Sequence, residues 1–174
     1  MAERREQAVP DAVLTRIGQV VMLHHAGDRE EARRRLLDLW VELGEDGDPL
    51  HRCTLAHYLA DTQDDPCDEL AWDLRALTAA EELTGQGCGE SSAGAVAVRA
   101  LYPSLHLNLA ADYVKLGRAE AARVHVRRAR GAAAVLGDDR YGDGVRAAIS
   151  RLELRLGEGG ASGGGVWGPP RQRP

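Results

Sequence analysis

The chain has 174 residues, which suits one ordinary domain, and its 22 basic and 27 acidic side chains give a formal charge of -5. No run approaches the ~18 apolar residues of a membrane-spanning helix, and the start lacks the apolar segment of a secretory signal. Three cysteines are too few and too widely spaced for a disulfide scaffold or a zinc finger. We therefore expect a reduced, cytoplasmic protein with no membrane and no nucleic-acid partner.

The composition favours an all-α fold. Phe is absent and aromatic residues make up only 4% of the chain, whereas Ala, Leu and Arg, which are good helix formers, are abundant. No stretch shows the sustained alternation of apolar and polar residues that a half-buried strand requires. The many small side chains suit close crossings between helices.

Start signals and apolar spacing predict two helices in the first 44 residues. Asp11 suits the positive N-terminal pole of a helix that runs to about His25. Asp28 and Glu31 fit a capping box at the start of a second helix, which ends near Gly44. The apolar residues that recur at three- and four-residue steps are Val13, Leu14, Ile17, Val20, Val21 and Leu23, then Ala32, Leu36 and Leu39.

Two further helices each begin with an aspartate followed by a proline. The pairs are Asp48-Pro49 and Asp65-Pro66, which combine a capping side chain with a proline at the first helical position. The predicted apolar face of the third helix is Cys53, Leu55, Ala56 and Leu59, and that of the fourth is Leu70, Leu74 and Leu77. The acidic residues around the turn between them are Asp61, Asp64, Asp65, Asp68 and Glu69. They lack the spacing of a calcium loop, which favours capping and solvation over cation binding.

The second half of the chain predicts three more helical segments. A Gly/Ser-rich stretch at residues 84–94 predicts a longer loop, and a helical region follows from about Ala95 to Leu116. Pro103 lies inside that region, so we expect a kink or a restart there. After Gly117, one helix is marked by Ala122, Val126 and Ala129, and a last one, opened by Asp138 and Asp139, by Val145, Ile149, Leu152 and Leu156. The chain therefore divides into a flexible N-terminus (1–9), a helical domain (10–156) and a disordered Gly/Pro-rich tail (157–174).

Three helix-turn-helix units can be aligned by their turns. The clearest has steps of three, four, five, four and three residues: Ala110, Tyr113, Gly117, Ala122, Val126 and Ala129. The first repeats the same steps: Val20, Leu23, Gly27, Ala32, Leu36 and Leu39. The middle unit lacks the turn glycine: Ala56, Leu59, Leu70, Leu74 and Leu77. The small–Tyr–Gly–Ala–large–Ala pattern resembles the tetratricopeptide repeat, and the chain looks like a small bacterial protein of that family.

That resemblance implies a right-handed α-solenoid of about three units with a C-terminal capping helix. It also implies a non-catalytic, cofactor-free scaffold that binds a protein or peptide in a concave groove, formed by the first helix of each pair. The positions of this sequence that would line the groove are His24, His25, Cys53, Thr54, His57, Asp61, Ser104, Leu107, Asn108, Ala111 and Lys115. Asn108 matches an Asn that some family members use to clasp a peptide carboxylate, but the first two units lack the Lys and Arg partners of that clamp.

Two alternatives remain open. Cys53 and His57 lie one helical turn apart, and His24 would lie on the neighbouring groove helix, so these residues could handle a metal or a redox reaction. A regulatory subunit that binds a small molecule is the other alternative. The acidic turn and the basic helix that follows Gly117 could also pair between two copies, which would give a homo-oligomer.

Overall fold

A computed structural model describes residues 11–85 and 93–161, and these form seven α-helices and one short 3-10 helix, with no strand. The α-helices are α1 (Ala12–His25), α2 (Arg29–Leu43), α3 (Pro49–Ala60), α4 (Pro66–Gly85), α5 (Ala93–Lys115), α6 (Ala119–Ala132) and α7 (Arg140–Ala161). The 3-10 helix spans Ala133–Val135. The prediction of an all-α fold is confirmed for the described residues. None of their helices is both long enough and apolar enough to cross a membrane.

The helices pack in chain order. Each contacts the next, and α1 also contacts α3, α3 contacts α5, and α5 contacts α7. The buried side chains form three clusters: one of α1, α2 and α3, one of α3, α4 and α5, and one of α5, α6, the 3-10 helix and α7. Each of α1, α3 and α5 therefore contacts both the next helix in the chain and the next odd-numbered helix.

Glycines make the two tight reversals that the repeat pattern predicts. Gly27 has φ +99° and Gly117 has φ +70°, which is the left-handed region that L side chains rarely adopt. The residue after each glycine donates its backbone N–H to the carbonyl five residues earlier. These bonds are Asp28 N to Leu23 O (3.3 Å) and Arg118 N to Tyr113 O (2.8 Å). The first and third turns thus share one hydrogen-bond pattern.

Aspartates cap three of the helices at their predicted starts. Asp11, Asp48 and Asp65 accept hydrogen bonds from backbone N–H groups of the first turns of α1, α3 and α4. The capping box predicted for α2 is wrong, because the Asp28 side chain makes no capping bond. The Asp28 N–H is already committed to the preceding glycine turn, and Glu31 instead accepts from two arginines of its own helix.

The buried face of α4 differs from the predicted stripe. Leu74 is 39% exposed and Leu70 is only half-buried. The residues that α4 buries are Asp73, Ala76, Leu77, Ala79 and Ala80. Leu77 is buried as predicted, but three alanines on this face let α4 lie close to α3, so packing selects small side chains over Leu70 and Leu74. The face that α4 turns toward α3 also carries Asp73 into the interior.

Two boundaries in the middle of the chain also differ from the prediction. The predicted loop at 84–94 is shorter, because α4 continues to Gly85 and α5 begins at Ala93; residues 86–92 lie outside the described part. α5 runs through Pro103 without a restart. The Pro103 ring is almost completely buried, and that packing offsets the backbone hydrogen bond that a proline cannot donate.

The last helix is longer than predicted. α7 continues to Ala161, whereas we expected a disordered tail from Gly157. Two arginines of α6 hold α7: Arg123 donates to the Leu156 carbonyl oxygen (2.8 Å), and Arg130 donates to Ser150 (2.9 Å). Each added residue of an existing helix gains one backbone hydrogen bond, so a glycine-rich continuation is tolerated. The predicted flexible N-terminus and the rest of the predicted tail, 162–174, lie outside the described residues.

Replacing Gly117 by Ala is expected to lower the free energy of unfolding by about 1–2 kcal/mol, because a Cβ is disfavoured at positive φ. Gly131→Ala is the matched control. Gly131 lies in α6 with open space around it, so Ala there should raise stability by about 0.5–1 kcal/mol. Urea midpoints of the two variants and the parent measure both effects. Equal midpoints for Gly117→Ala and the parent would contradict the turn assignment.

Candidate functional site

A cleft of about 480 Å³ lies between α3, α5 and α7. Six of the residues predicted to line a groove lie on its walls: Thr54, His57, Asp61, Ser104, Leu107 and Asn108. The opposite wall includes Arg140, Tyr141 and Gly144 of α7. Helical spacing explains the grouping, because residues three and four apart lie on one face of α3 and of α5.

Five other predicted groove residues do not line the cleft. His25 is exposed at the end of α1, where His24 is half-buried. Ala111 is half-buried and Lys115 is exposed on α5. Cys53 is fully buried and packs with the alanines of α3 and α4 instead of lining the cleft. A small, weakly polar thiol packs well at a close helix crossing, which explains its place in the core.

Two buried carboxyl groups lie behind the α3 wall. Asp73 of α4 and Asp112 of α5 are each 1% exposed, and we call them the buried carboxyl pair. No other group of the described residues hydrogen-bonds their oxygens, and the two carboxyls interact with each other. Asp73 Oδ1 lies 3.6 Å from Nδ1 of His57, whose ring lines the cleft. Asn108 Nδ2 lies 3.5 Å from the same nitrogen. The pair is thus adjacent to the cleft but shielded from it.

Burial and like charge govern the ionisation of this pair. Burial, the charge of Asp73 and the charge of Glu69 raise the pKa of Asp112 to about 8. Burial lowers the pKa of His57, but the Asp73 and Asp61 carboxylates outweigh that effect and leave it raised. Asp61 reaches the protein surface, but partial desolvation by the surrounding side chains still raises its pKa. Near neutral pH, the pair therefore retains a proton on Asp112.

Lys115 links α4 and α5 beside the buried carboxyl pair. Its Nζ donates to both carboxylate oxygens of Glu69, at 2.5 and 2.6 Å, and lies 3.6 Å from Asp112 Oδ1. The closer contacts to Glu69 show that this ammonium group is mainly engaged by the surface carboxylate. Glu69 was predicted as part of an acidic turn, and its observed role is this ion pair between helices.

Hydroxyl groups connect the α5 and α7 walls of the cleft. Tyr141 Oη donates to Ser104 Oγ (3.2 Å), and Ser104 donates to the Leu101 carbonyl oxygen (2.9 Å). Tyr58 of α3 lies near Tyr141, and burial raises the pKa of its phenol. The walls therefore combine hydrogen-bonding groups with apolar side chains such as Leu107, a mixture that suits a polypeptide segment or an organic ligand.

The residues proposed for metal or redox chemistry are not brought together. Burial raises the pKa of the Cys53 thiol to about 12, which suppresses the thiolate that ligates metals. Among residues 11–85 and 93–161, no group of three or more His, Cys, Asp or Glu side chains has an arrangement that could hold a metal ion. His24 and His57 remain near the cleft, where both act electrostatically on Asp61.

The buried carboxyl pair and the α7 wall of the cleft were not predicted from the sequence. Asp73 shares its helix face with Ala76, Leu77 and Ala80, a spacing that could have indicated its burial. The α7 residues carried no such signal, because their place opposite α3 depends on tertiary packing.

Scans of known protein families, curated proteins and solved structures find no match to this chain.

Neutralising Asp112 is expected to flatten part of the pH dependence of stability. The pKa of this carboxyl is raised in the folded chain, so the folded state holds a proton that the unfolded state releases above pH 4. The parent should therefore lose stability relative to Asp112→Asn as the pH rises from 4 to 8, by about 1–3 kcal/mol in total. Urea unfolding across that range measures the difference.

Glu81→Gln is the control for that series. Glu81 also lies in a helix, but its carboxyl is exposed and is not paired with a second carboxyl as Asp112 is with Asp73. Its stability difference from the parent should stay constant over the same pH range. A constant difference for Asp112→Asn as well would show that Asp112 ionises normally.

Alkylation by iodoacetamide should distinguish the two described cysteines. Cys53 is buried and its thiol pKa is raised to about 12, whereas Cys67 is exposed. We expect Cys67 to react at least about 100-fold faster in the folded protein and equally fast after unfolding in urea. Peptide mass spectrometry gives the extent of each reaction. Equal native rates would place Cys53 at an accessible surface.

Proposed function

We propose that this chain is a non-catalytic interaction module of the tetratricopeptide-repeat type, acting in the cytoplasm. In this proposal α1–α2, α3–α4 and α5–α6 are the repeated pairs of a right-handed solenoid, and α7 is its capping helix. The contacts of α1 with α3, α3 with α5 and α5 with α7 support this arrangement. The matching turns at Gly27 and Gly117 support a common origin for the first and third pairs.

The proposed activity is the binding of a protein or peptide segment in the cleft between α3, α5 and α7. The observation that carries it is the convergence of six groove residues, chosen from the repeat pattern, on one cleft. The volume of about 480 Å³ falls in the range of ~300–1,000 Å³ typical of ligand sites. Side chains such as Thr54, Ser104 and Asn108 can hydrogen-bond a peptide backbone, and Leu107 can contact its apolar side chains.

Filling the cleft should abolish peptide binding. Gly144 lines the cleft, and a Cβ there meets no atom within 4 Å, so Trp fits the helix while its ring enters the cleft. Peptides selected on the parent from a random display library are the probes, and fluorescence polarisation measures their dissociation constants. We expect Gly144→Trp to weaken binding by at least about tenfold, a loss of ~1.4 kcal/mol.

Gly131→Trp is the matched control, because Gly131 is also an exposed helical glycine with open space but belongs to α6. Its affinity should stay within about twofold of the parent's, and circular dichroism should show both variants folded. A library that yields no binder, or peptides that bind the folded Gly144→Trp variant normally, would rule out the cleft as the binding surface.

A further inference from the structure

The two walls of the cleft carry opposite charges. Asp61 lies at the C-terminal end of α3, and Arg140 begins α7. Both are exposed, and neither forms an ion pair or a side-chain hydrogen bond within the described residues. Asp61 could therefore bind a positive group of a bound segment, and Arg140 could bind a negative one. The charged groups around each residue decide which of the two contacts is favoured.

Two carboxylates, Asp73 and Glu69, and two imidazoles, His57 and His24, act on Asp61. Asp73 lies behind His57 with both oxygens buried, and the group that hydrogen-bonds it is the protonated Asp112 carboxyl. A carboxylate can accept several hydrogen bonds, so Asp73 leaves acceptor capacity unused immediately behind the cleft wall. Its nearest cationic contact, His57 Nδ1, stands at 3.6 Å, which is beyond hydrogen-bond range.

The cations near Asp61 do not neutralise it. Lys115 is engaged by both oxygens of Glu69, so these two charges offset each other. Asp61 is therefore the carboxylate that lines the cleft at this end, with Asp73 behind it. His24 approaches from α1, half-buried, with an Nδ1 that also lacks a hydrogen-bond partner. The α3 end of the cleft is thus the end that a cation would favour.

Asp61 supplies the hydrogen-bond acceptor on this wall of the cleft. A carboxylate only accepts hydrogen bonds, so it suits a group that only donates, and the ammonium of lysine and the guanidinium of arginine are such groups. Arg140 on the opposite wall repels a second cation and so limits the acidic end to one.

We infer that the segment bound in the cleft inserts one lysine or arginine side chain at the α3 end, where Asp61 receives it. This inference rests on the proposed function and adds to it the chemistry of the partner. The partner is then a protein segment with an exposed basic side chain, and Asp61 is the residue that selects it.

Peptide selection on the full chain tests this inference. Random dodecapeptides, displayed with their C-termini blocked by fusion, are selected on the parent and on Asp61→Asn. We expect lysine and arginine to be enriched at one position in the parent's pool and not in the variant's. A selected peptide should bind Asp61→Asn at least about tenfold more weakly, as expected for the loss of a charge-assisted hydrogen bond.

A double-mutant cycle assigns the effect to one contact. The same peptide with its basic residue replaced by norleucine should bind the parent and Asp61→Asn equally. Arg140→Gln should bind the basic peptide more tightly, because it removes a positive charge from the opposite wall, and Glu81→Gln, at an exposed site of α4, should bind it unchanged. Thermal unfolding of each variant checks that its fold is intact.

Three outcomes overturn the inference. A pool enriched in Asp and Glu, with binding lost in Arg140→Gln, would assign the cleft to an acidic segment. If the selected peptides show no preference for basic residues but still fail to bind Gly144→Trp, the inference is refuted and the proposed function stands. A library that yields no binder would refute both.

Discussion

Close contact between helices through small side chains is the constraint on which the structure depends. Cys53 and Ala56 of α3 and three alanines of α4 are completely buried in one cluster. Ala110 and Ala122 occupy the same kind of crossing between α5 and α6. Short side chains let the backbones approach, and the dispersion attraction between the closely packed helices compensates for the small apolar area of each residue. Larger residues at these crossings would separate the pairs and open the cleft between α3, α5 and α7.

The same close packing explains how two carboxyl groups come to be buried. Once the alanine face of α4 is fixed against α3, Asp73 has no route to solvent, and Asp112 faces it from α5. Burying charge without hydrogen bonds is unfavourable, and a retained proton on Asp112 reduces that penalty. Buried polar groups of this kind cost stability, so a role at the adjacent cleft gives a reason for their presence.

The helices and the first and third turns could be predicted because their signals are local. Capping aspartates, prolines at first helical positions and glycines at positive φ act within a few residues. The buried face of α4 could not be predicted from its leucines, because close packing against α3 outweighed their hydrophobicity. The α3 and α5 walls of the cleft followed from repeat alignment, whereas Tyr141, Arg140 and the buried carboxyl pair depend on contacts between helices distant in sequence.

For the proposed basic partner, the position of Asp73 directly behind His57 would make binding in the cleft and protonation of the buried carboxyl pair thermodynamically reciprocal. A positive group entering beside His57 would stabilise the ionised form of the buried carboxyl pair and so favour release of its proton. By the same linkage, acidification would oppose entry of that group. Binding of the basic side chain would thus release a proton from the buried carboxyl pair, and the fraction of protein with an occupied cleft would depend on the pH of its surroundings.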